Sequence, residues 1–178
     1  MAGAIIIMSA IGVLLLVLAG YVLVSGTLAS ADSIAAAQKD MAQKKDEQVH
    51  TAIQISGQVW DKTPGGYNDN LTFDLTNTGD TPIFKYSQMD VFVTVTTTTN
   101  YLERYTFNGG AMGGMPGSDF TKTWGYMTIT PGTTHPYMLD PGETMKVNIG
   151  NFEVGGGKDP FVVIVTTPNG ITADATGE

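Results

Sequence analysis

The sequence contains no cysteine. This absence excludes a disulfide framework, a thiolate nucleophile and a Cys-ligated zinc site, and it leaves no residue for a lipid-modified cysteine anchor. Histidine is scarce, with only His50 and His135 in the chain. Because catalysis requires convergent groups of suitable pKa, and neither histidine has an evident partner in the sequence, we expect no catalytic residue and no enzyme activity.

Charge is missing from the first 31 residues, and Asp32 is the first charged side chain. All 17 carboxylates and nine basic side chains lie downstream, for a net charge of −8. Because a phosphate backbone demands a basic surface, we expect no nucleic-acid partner.

The sequence also lacks the HExxH, GxSxG, P-loop and EF-hand patterns, so we expect no cofactor and no metal. A calcium site in a loop, using Asp119 and Asp140, is an alternative. Aspartate that simply forms turns accounts for the same residues.

Residues 4–28 (AIIIMSAIGVLLLVLAGYVLVSGTL) are apolar, and a bilayer core of ~30 Å needs about 20 such residues in a helix. The stretch predicts a transmembrane or filament-core helix over residues 1–31. A cleaved signal peptide is the alternative, but it needs a basic segment in front, and no Lys or Arg precedes Lys39.

Small residues recur in this segment and permit close helix–helix approach. An alternative is that small residues are simply common in membrane helices. The candidates for helix packing are Gly12, Ala19, Gly20, Ser25 and Gly26. The basic residues Lys39, Lys44 and Lys45 follow the span and would nominally stay in the cytoplasm, but long domains translocate largely regardless of charge. Charge therefore leaves the orientation open.

Residues 32–50 are rich in Ala, Gln and Lys without Gly or Pro, which predicts a helical stalk continuing from the apolar helix. Ile34, Ala37 and Met41 form a weak apolar stripe at helical spacing. The stripe is compatible with packing between copies of the stalk or with a solvated linker helix.

Period-two alternation begins near residue 51, and turn signals recur at short intervals up to the C-terminus. With no helical pattern after His50, this predicts an antiparallel, immunoglobulin-like β-sandwich over residues 51–178, and an α plus all-β fold for the chain. The predicted strands are 51–60, 70–76, 82–86, 90–98, 101–107, 121–130, 143–151 and 161–167, with 171–173 as an edge.

Predicted turns separate the strands, because their residues fix φ or tolerate a positive φ. The turn-forming candidates are Asn77, Gly79, Pro141, Gly142, Asn169 and Gly170. Residues 108–118 (NGGAMGGMPGS) read as a glycine-rich loop that offers a contact surface. Asn70 begins an Asn-Leu-Thr sequon and is a candidate N-glycosylation site if the domain lies outside the cell.

Three segments carry a family resemblance. They are residues 71–93 (LTFDLTNTGDTPIFKYSQMDVFV), 139–147 (LDPGETMKV) and 162–170 (VVIVTTPNG). Together with the order apolar helix, stalk and β-sandwich, they resemble the archaellins and their relatives. The resemblance implies an archaellin-like sandwich and a mechanical role in archaeal motility.

Archaellins resemble type IV pilins in carrying a basic, cleavable leader, and the sequence starts Met-Ala-Gly-Ala without one. The resemblance is therefore closest to the archaellum accessory proteins F and G, which are stator parts at the filament base. It implies a chain in the cell membrane with an extracellular (pseudoperiplasmic) sandwich. The implied partners are the membrane, surface-layer protein or archaellum components, and copies of the chain itself.

Two other functions stay open. One is an archaellin or type IV pilin-like filament subunit that polymerises through its N-terminal helix, with contacts at Gly12, Ala19 and Gly20. The other is a membrane-tethered adhesin or glycan-binding domain that uses the glycine-rich loop near Met112 and Met115.

Overall fold

A computed structural model describes residues 2–61, 70–95, 101–108, 122–132, 135, 137–150 and 160–177. Within these ranges, one helix precedes eight strands. The elements are α1 Ala2–His50, β1 Ile53–Asp61, β2 Asn70–Asn77, β3 Asp90–Val95, β4 Tyr101–Phe107, β5 Thr123–Thr130, β6 Thr144–Ile149, β7 Phe161–Thr166 and β8 Thr172–Gly177. A single 3₁₀ turn, Tyr86–Gln88, lies between β2 and β3.

Helix α1 is continuous over 49 residues, as its lack of proline and its Ala-rich second half predict. From Ile7 to His50 every side chain is exposed. The helix is long and apolar enough to cross a membrane, by length and composition.

The chain divides into two compact units, Met1–Lys45 and Asp46–Glu178. The last turn of α1 therefore belongs to the same unit as the strands. The predicted division into residues 1–31, 32–50 and 51–178 stays a prediction.

The strands form a sandwich that is nearly a barrel, with strand order β1-β2-β6-β5-β4-β3-β7-β8. One half consists of β1, β2, β6 and β5 and the other of β4, β3, β7 and β8. All pairs within each half are antiparallel. The halves are joined by a short parallel contact between β4 and β5, where Thr106 pairs with Thr123 and Phe107 with Trp124. The predicted helix followed by a mostly antiparallel β-sandwich is confirmed.

The core fills the space between the two halves, because alternate residues of each strand point inward. On β3 the inward residues are Val91, Val93 and Val95, and on β2 they are Leu71, Phe73 and Leu75, all at most 1% exposed. Aromatic rings close one end of this core, with the Phe107 and Trp124 centroids 4.8 Å apart.

One predicted strand is wrong. Residues 82–86 contain only an isolated bridge from Ile83 to Leu139, after which the chain turns through the 3₁₀ segment. Pro82 supplies no backbone N–H and therefore interrupts a ladder. The edge strand predicted at 171–173 is present but longer: it is β8, which has six residues and ends the strand order.

Some expectations fall outside the described residues. They are the loop after Asn108 with Met112 and Met115, and Asp119 of the candidate calcium site.

Candidate functional site: the junction between helix and sandwich

The end of α1 is bonded to the loop that follows β2. The carbonyl oxygen of His50 accepts hydrogen bonds from the backbone N–H groups of Asp80 at 2.7 Å and Thr81 at 3.1 Å. The carbonyl of Ala52 accepts from Thr78 at 2.9 Å and Gly79 at 3.1 Å. Because the last carbonyl groups of a helix have no partner inside it, this loop completes the C-terminus of α1. We call residues 46–52, 77–81 and 167–170 the junction.

Asn77 holds the junction loop in shape from inside the protein, where it is fully buried. Its Nδ2 donates to the carbonyls of Thr81 and Leu139, both at 2.9 Å, and its Oδ1 accepts from the N–H of Gly79 at 3.1 Å. Buried amides of this kind are costly to leave unpaired, and all three bonds here have ordinary lengths. Asn77 therefore sets the path of the loop against the helix.

Glycine is required at position 79 because the loop passes very close to the chain leaving α1. A Cβ added there would lie 2.5 Å from the His50 carbonyl oxygen, a distance that real Cβ atoms do not adopt. Any larger residue would push the loop away from its two carbonyl acceptors, His50 and Ala52.

A second contact to the helix end comes from the turn between β7 and β8. Asn169 Nδ2 donates to Thr51 Oγ1 at 2.7 Å and to the Glu47 carbonyl at 3.3 Å. In return, Gln48 Nε2 donates to the carbonyl of Asn169 at 2.7 Å. Gly170 has φ +86°, which lets the turn close in front of β8. The last turn of α1 is thus bonded to two separate loops.

The turn at Pro141 and Gly142 is hydrogen-bonded to Asn77 of the junction. The N–H of Gly142, which has φ +80°, donates to the carbonyl of Asn77 at 2.8 Å. Next to it, the buried carboxylate of Glu143 accepts from the N–H groups of Gly132 at 2.9 Å and Asp140 at 3.0 Å.

Burial raises the pKa of Tyr86 well above its usual value, and the charges of Tyr126, Glu143 and Asp140 act in the same direction. Tyr86 is therefore neutral at physiological pH.

Sequence reasoning found the turn residues but not what they contact. Asn77, Gly79, Asn169 and Gly170 were expected only to reverse the chain, and the structure brings them to one end of one helix. Glu47, Gln48 and Thr51 were not singled out at all. The available signal was weak: Asn77 directly follows a predicted strand and Asn169 follows one after Pro168, but nothing local indicates that the two turns meet.

The predicted helix-packing residues are exposed on α1. An added Cβ at Gly12, Gly20 or Gly26 would meet no atom of the described chain within 4 Å. Ala19 is exposed, and Ser25 Oγ bonds the Val22 carbonyl of its own helix at 3.1 Å. Their role in helix packing stays a prediction. Asn70 is partly exposed as the first residue of β2, and its glycosylation also stays a prediction.

Both histidines have partners, contrary to expectation. His50 Nδ1 lies 2.9 Å from the Asp46 carbonyl within the helix, and His135 Nδ1 lies 2.9 Å from Asp140 Oδ2. Both imidazoles are about half exposed, so both histidines lie at the surface. Within the described ranges, no three His, Asp or Glu side chains are placed to hold a metal ion.

The model of the archaeal-type flagellin family matches residues 2–176, which is nearly the whole chain. The chain belongs to the archaeal-type flagellin family. This membership makes it an archaellum component, and the family consists of structural proteins rather than enzymes. None of the curated proteins matches the sequence.

Solved structures of archaellum proteins are similar to this flagellin-family chain, and the first of them shares its fold. The archaeal flagellum of Methanospirillum hungatei strain JF1 is 16% identical with a TM-score of 0.56, and the match covers 96% of this chain and 90% of that chain. The archaellum periplasmic stator protein FlaG from Sulfolobus acidocaldarius is 21% identical with a TM-score of 0.46, covering 71% of this chain and 99% of that one. The FlaF and FlaG stator complex from the same organism is 19% identical with a TM-score of 0.46, covering 70% and 87%.

Proposed function

We propose that the chain is a membrane-anchored structural part of the archaellum of the stator type. In this proposal α1 fixes the chain in the cell membrane, and the sandwich lies on the extracellular side, where it contacts surface-layer protein or further copies of the chain. The work is mechanical: the chain resists the torque of the motor without making or breaking a bond.

The observation that carries the proposal is the change of composition along the exposed helix at Asp32. The uncharged helical residues 2–31 measure about 45 Å at helical rise, enough for a hydrocarbon core of ~30 Å and its interfaces. The next 19 residues carry seven charges on all sides of the helix. These charges are Asp32, Lys39, Asp40, Lys44, Lys45, Asp46 and Glu47. One apolar segment of bilayer length followed by a solvated one is typical of an anchor with a stalk.

The junction supports a mechanical role. A load on the sandwich reaches the helix through the bonds that His50, Gln48 and Glu47 make with two loops. Because the two loops come from different halves of the sandwich, β2 in one and β7–β8 in the other, tilting the last turn strains both sets of hydrogen bonds. This arrangement stiffens the connection at the point where a stator must transmit force.

A filament subunit is the second candidate, favoured by the family model and by the Methanospirillum hungatei flagellum. The flagellum match covers 96% of this chain, helix included. In that case residues 2–31 of α1 would pack against copies of the helix in a filament core, and Gly12, Ala19 and Gly20 would supply the close contacts.

Shearing cells of the host archaeon separates the two candidates, because it detaches filaments and leaves the base in the envelope. We expect the chain in the membrane fraction, released by detergent but not by alkaline carbonate. Leu15→Lys, near the middle of the apolar segment, costs about 3 kcal/mol in a bilayer centre and should reduce membrane retention. Ala36→Lys in the stalk is the matched control and should leave retention unchanged. Recovery of the chain as a major component of sheared filaments would contradict the stator proposal.

A further inference from the structure

The outward faces of the two halves of the sandwich differ in chemistry. On the half formed by β1, β2, β6 and β5, a polar row crosses the four strands, and it consists of Ser56, Asp74, Lys146 and Thr128. On the other half, four apolar side chains point outward. They are Phe92 on β3, Leu102 on β4, and Val162 and Ile164 on β7. We call the outward side of β4, β3, β7 and β8 the apolar face.

The four apolar side chains are contiguous. Phe92 pairs directly with Ile164, and Thr94 pairs with Leu102 on one side and with Val162 on the other. Neighbouring rows bring diagonal residues within reach of long side chains. Leu102 is 64% exposed and the others are partly exposed. A contiguous apolar patch on a domain surface marks an interaction site.

Opposite charges stand at the two ends of the central row. Arg104 on β4 pairs with Phe92, and Asp174 on β8 pairs with Ile164, so the row reads Arg104, Phe92, Ile164, Asp174 across the four strands. Three strand spacings place the two charges about 14 Å apart. Arg104 Nε donates to Asp90 Oδ1 at 2.7 Å, yet its side chain is still 61% exposed, and Asp174 is exposed.

We propose that the apolar face binds the same face of a second copy of the chain. A two-fold axis running along the strands between β3 and β7 maps each end of the row onto the other end. It therefore sets Arg104 of one copy against Asp174 of the other, twice, and brings Phe92 against Ile164 between them. Such an isologous contact needs a self-complementary patch, and this row has that property.

Only the charges at the two ends of the row match a second copy, and they act against the net charge of the chain. The chain has net charge −8, so two copies repel each other unless the contact itself supplies opposite charges. Arg104 and Asp174 supply them at matched positions on the one apolar face. The inference concerns the sandwich alone and rests on the stator-type proposal, because subunits of a polar filament have no two-fold axis between them.

The chain has no native cysteine, so single cysteines report the contact directly. The full chain is prepared in detergent micelles as Arg104→Cys and as Asp174→Cys, and the two are mixed and treated with a short bismaleimide. We expect a cross-linked dimer in the mixture, at several times the yield of either variant alone, because two cysteines at position 104 or two at position 174 lie on opposite sides of the axis. Ile164→Lys introduced into both partners should abolish the product while circular dichroism and melting temperature show a folded domain.

The matched control uses the polar row of the other half. Ser56→Cys mixed with Thr128→Cys spans the same number of strands and should give no cross-linked dimer above the background of random collision. Equal yields from the two mixtures, or a preference for links between identical positions, would overturn the proposed two-fold contact.

Discussion

Position 79 shows how one residue decides the geometry of the junction. Gly79 lies against the backbone that leaves α1, and its N–H donates to the carbonyl of Ala52 while its neighbour Asp80 donates to His50. The close approach leaves no room for a Cβ between the two chain segments. The constraint is on space next to fixed backbone, which cannot move aside as the end of a flexible side chain can.

Gly79→Ala should therefore lower the free energy of unfolding by about 2 kcal/mol or more. The matched control is Gly142→Ala. A Cβ at Gly142 would meet no described atom within 4 Å, but its φ of +80° costs a non-glycine residue about 1 kcal/mol. Urea unfolding of the full chain in detergent measures both changes. Equal losses would mean that the approach to His50 imposes no cost of its own.

At the scale of elements, the last turn of α1 depends on two turns that are far away in sequence. Asn169 reaches Glu47 and Thr51 across more than a hundred residues. Helix ends fray when their carbonyls lack partners, so the sandwich keeps this turn helical. The strands are stabilised in return, because the same hydrogen bonds fix the junction loops at one end of both halves.

Asn169→Ala should loosen the last turn of the helix without disturbing the core. The two hydrogen bonds lost contribute about 1 kcal/mol each, so amide exchange over residues 46–50 should rise roughly thirtyfold. Hydrogen exchange with mass spectrometry measures this, with peptides from β3 and β7 as internal references. Asp80→Ala is the control, because it removes an exposed side chain and keeps the backbone bond to His50. Faster exchange in β3 as well would indicate global destabilisation instead.

At the scale of the whole molecule, the boundary between the compact units lies at Asp46 rather than at the end of the helix. The predicted boundary at residue 51 follows the change from helical to alternating periodicity. The structure groups residues by contact, and residues 46–50 contact the loops of the sandwich through Glu47, Gln48 and His50.

A fragment of residues 46–178 should consequently be more stable than a fragment of residues 51–178. The shorter fragment loses the bonds of His50 and Gln48 and leaves the N–H groups of Asp80 and Thr81 without their acceptor, which costs about 2 kcal/mol. The midpoint of urea unfolding for the two fragments tests this. Coincident midpoints would show that the last helical turn adds nothing to the sandwich.

Much of the fold was predictable because it follows from local patterns. Strand β4 was predicted with its observed bounds, and β2 within one residue, because alternating side chains and glycine-containing turns mark both clearly. The strand predicted at residues 82–86 was wrong, since its short apolar run satisfies the pattern while Pro82 removes a ladder donor. The junction was not predictable, because the pairing of two turns with a helix end leaves no local trace.

The sequence by itself determined the apolar helix and the boundary at Asp32 between its uncharged and its charged part. It also determined the alternation of the strands and the places where the chain reverses. Each of these features depends on neighbours within a few residues. Only the tertiary structure decided the strand order, the bonds that Asn77, Gly79 and Asn169 make at the end of α1, and which side chains of the unbroken apolar run 161–165 face outward. A continuous apolar run has no period from which to read its two faces, so Val162 and Ile164 became distinguishable from core residues only once β3 and β8 were paired beside them.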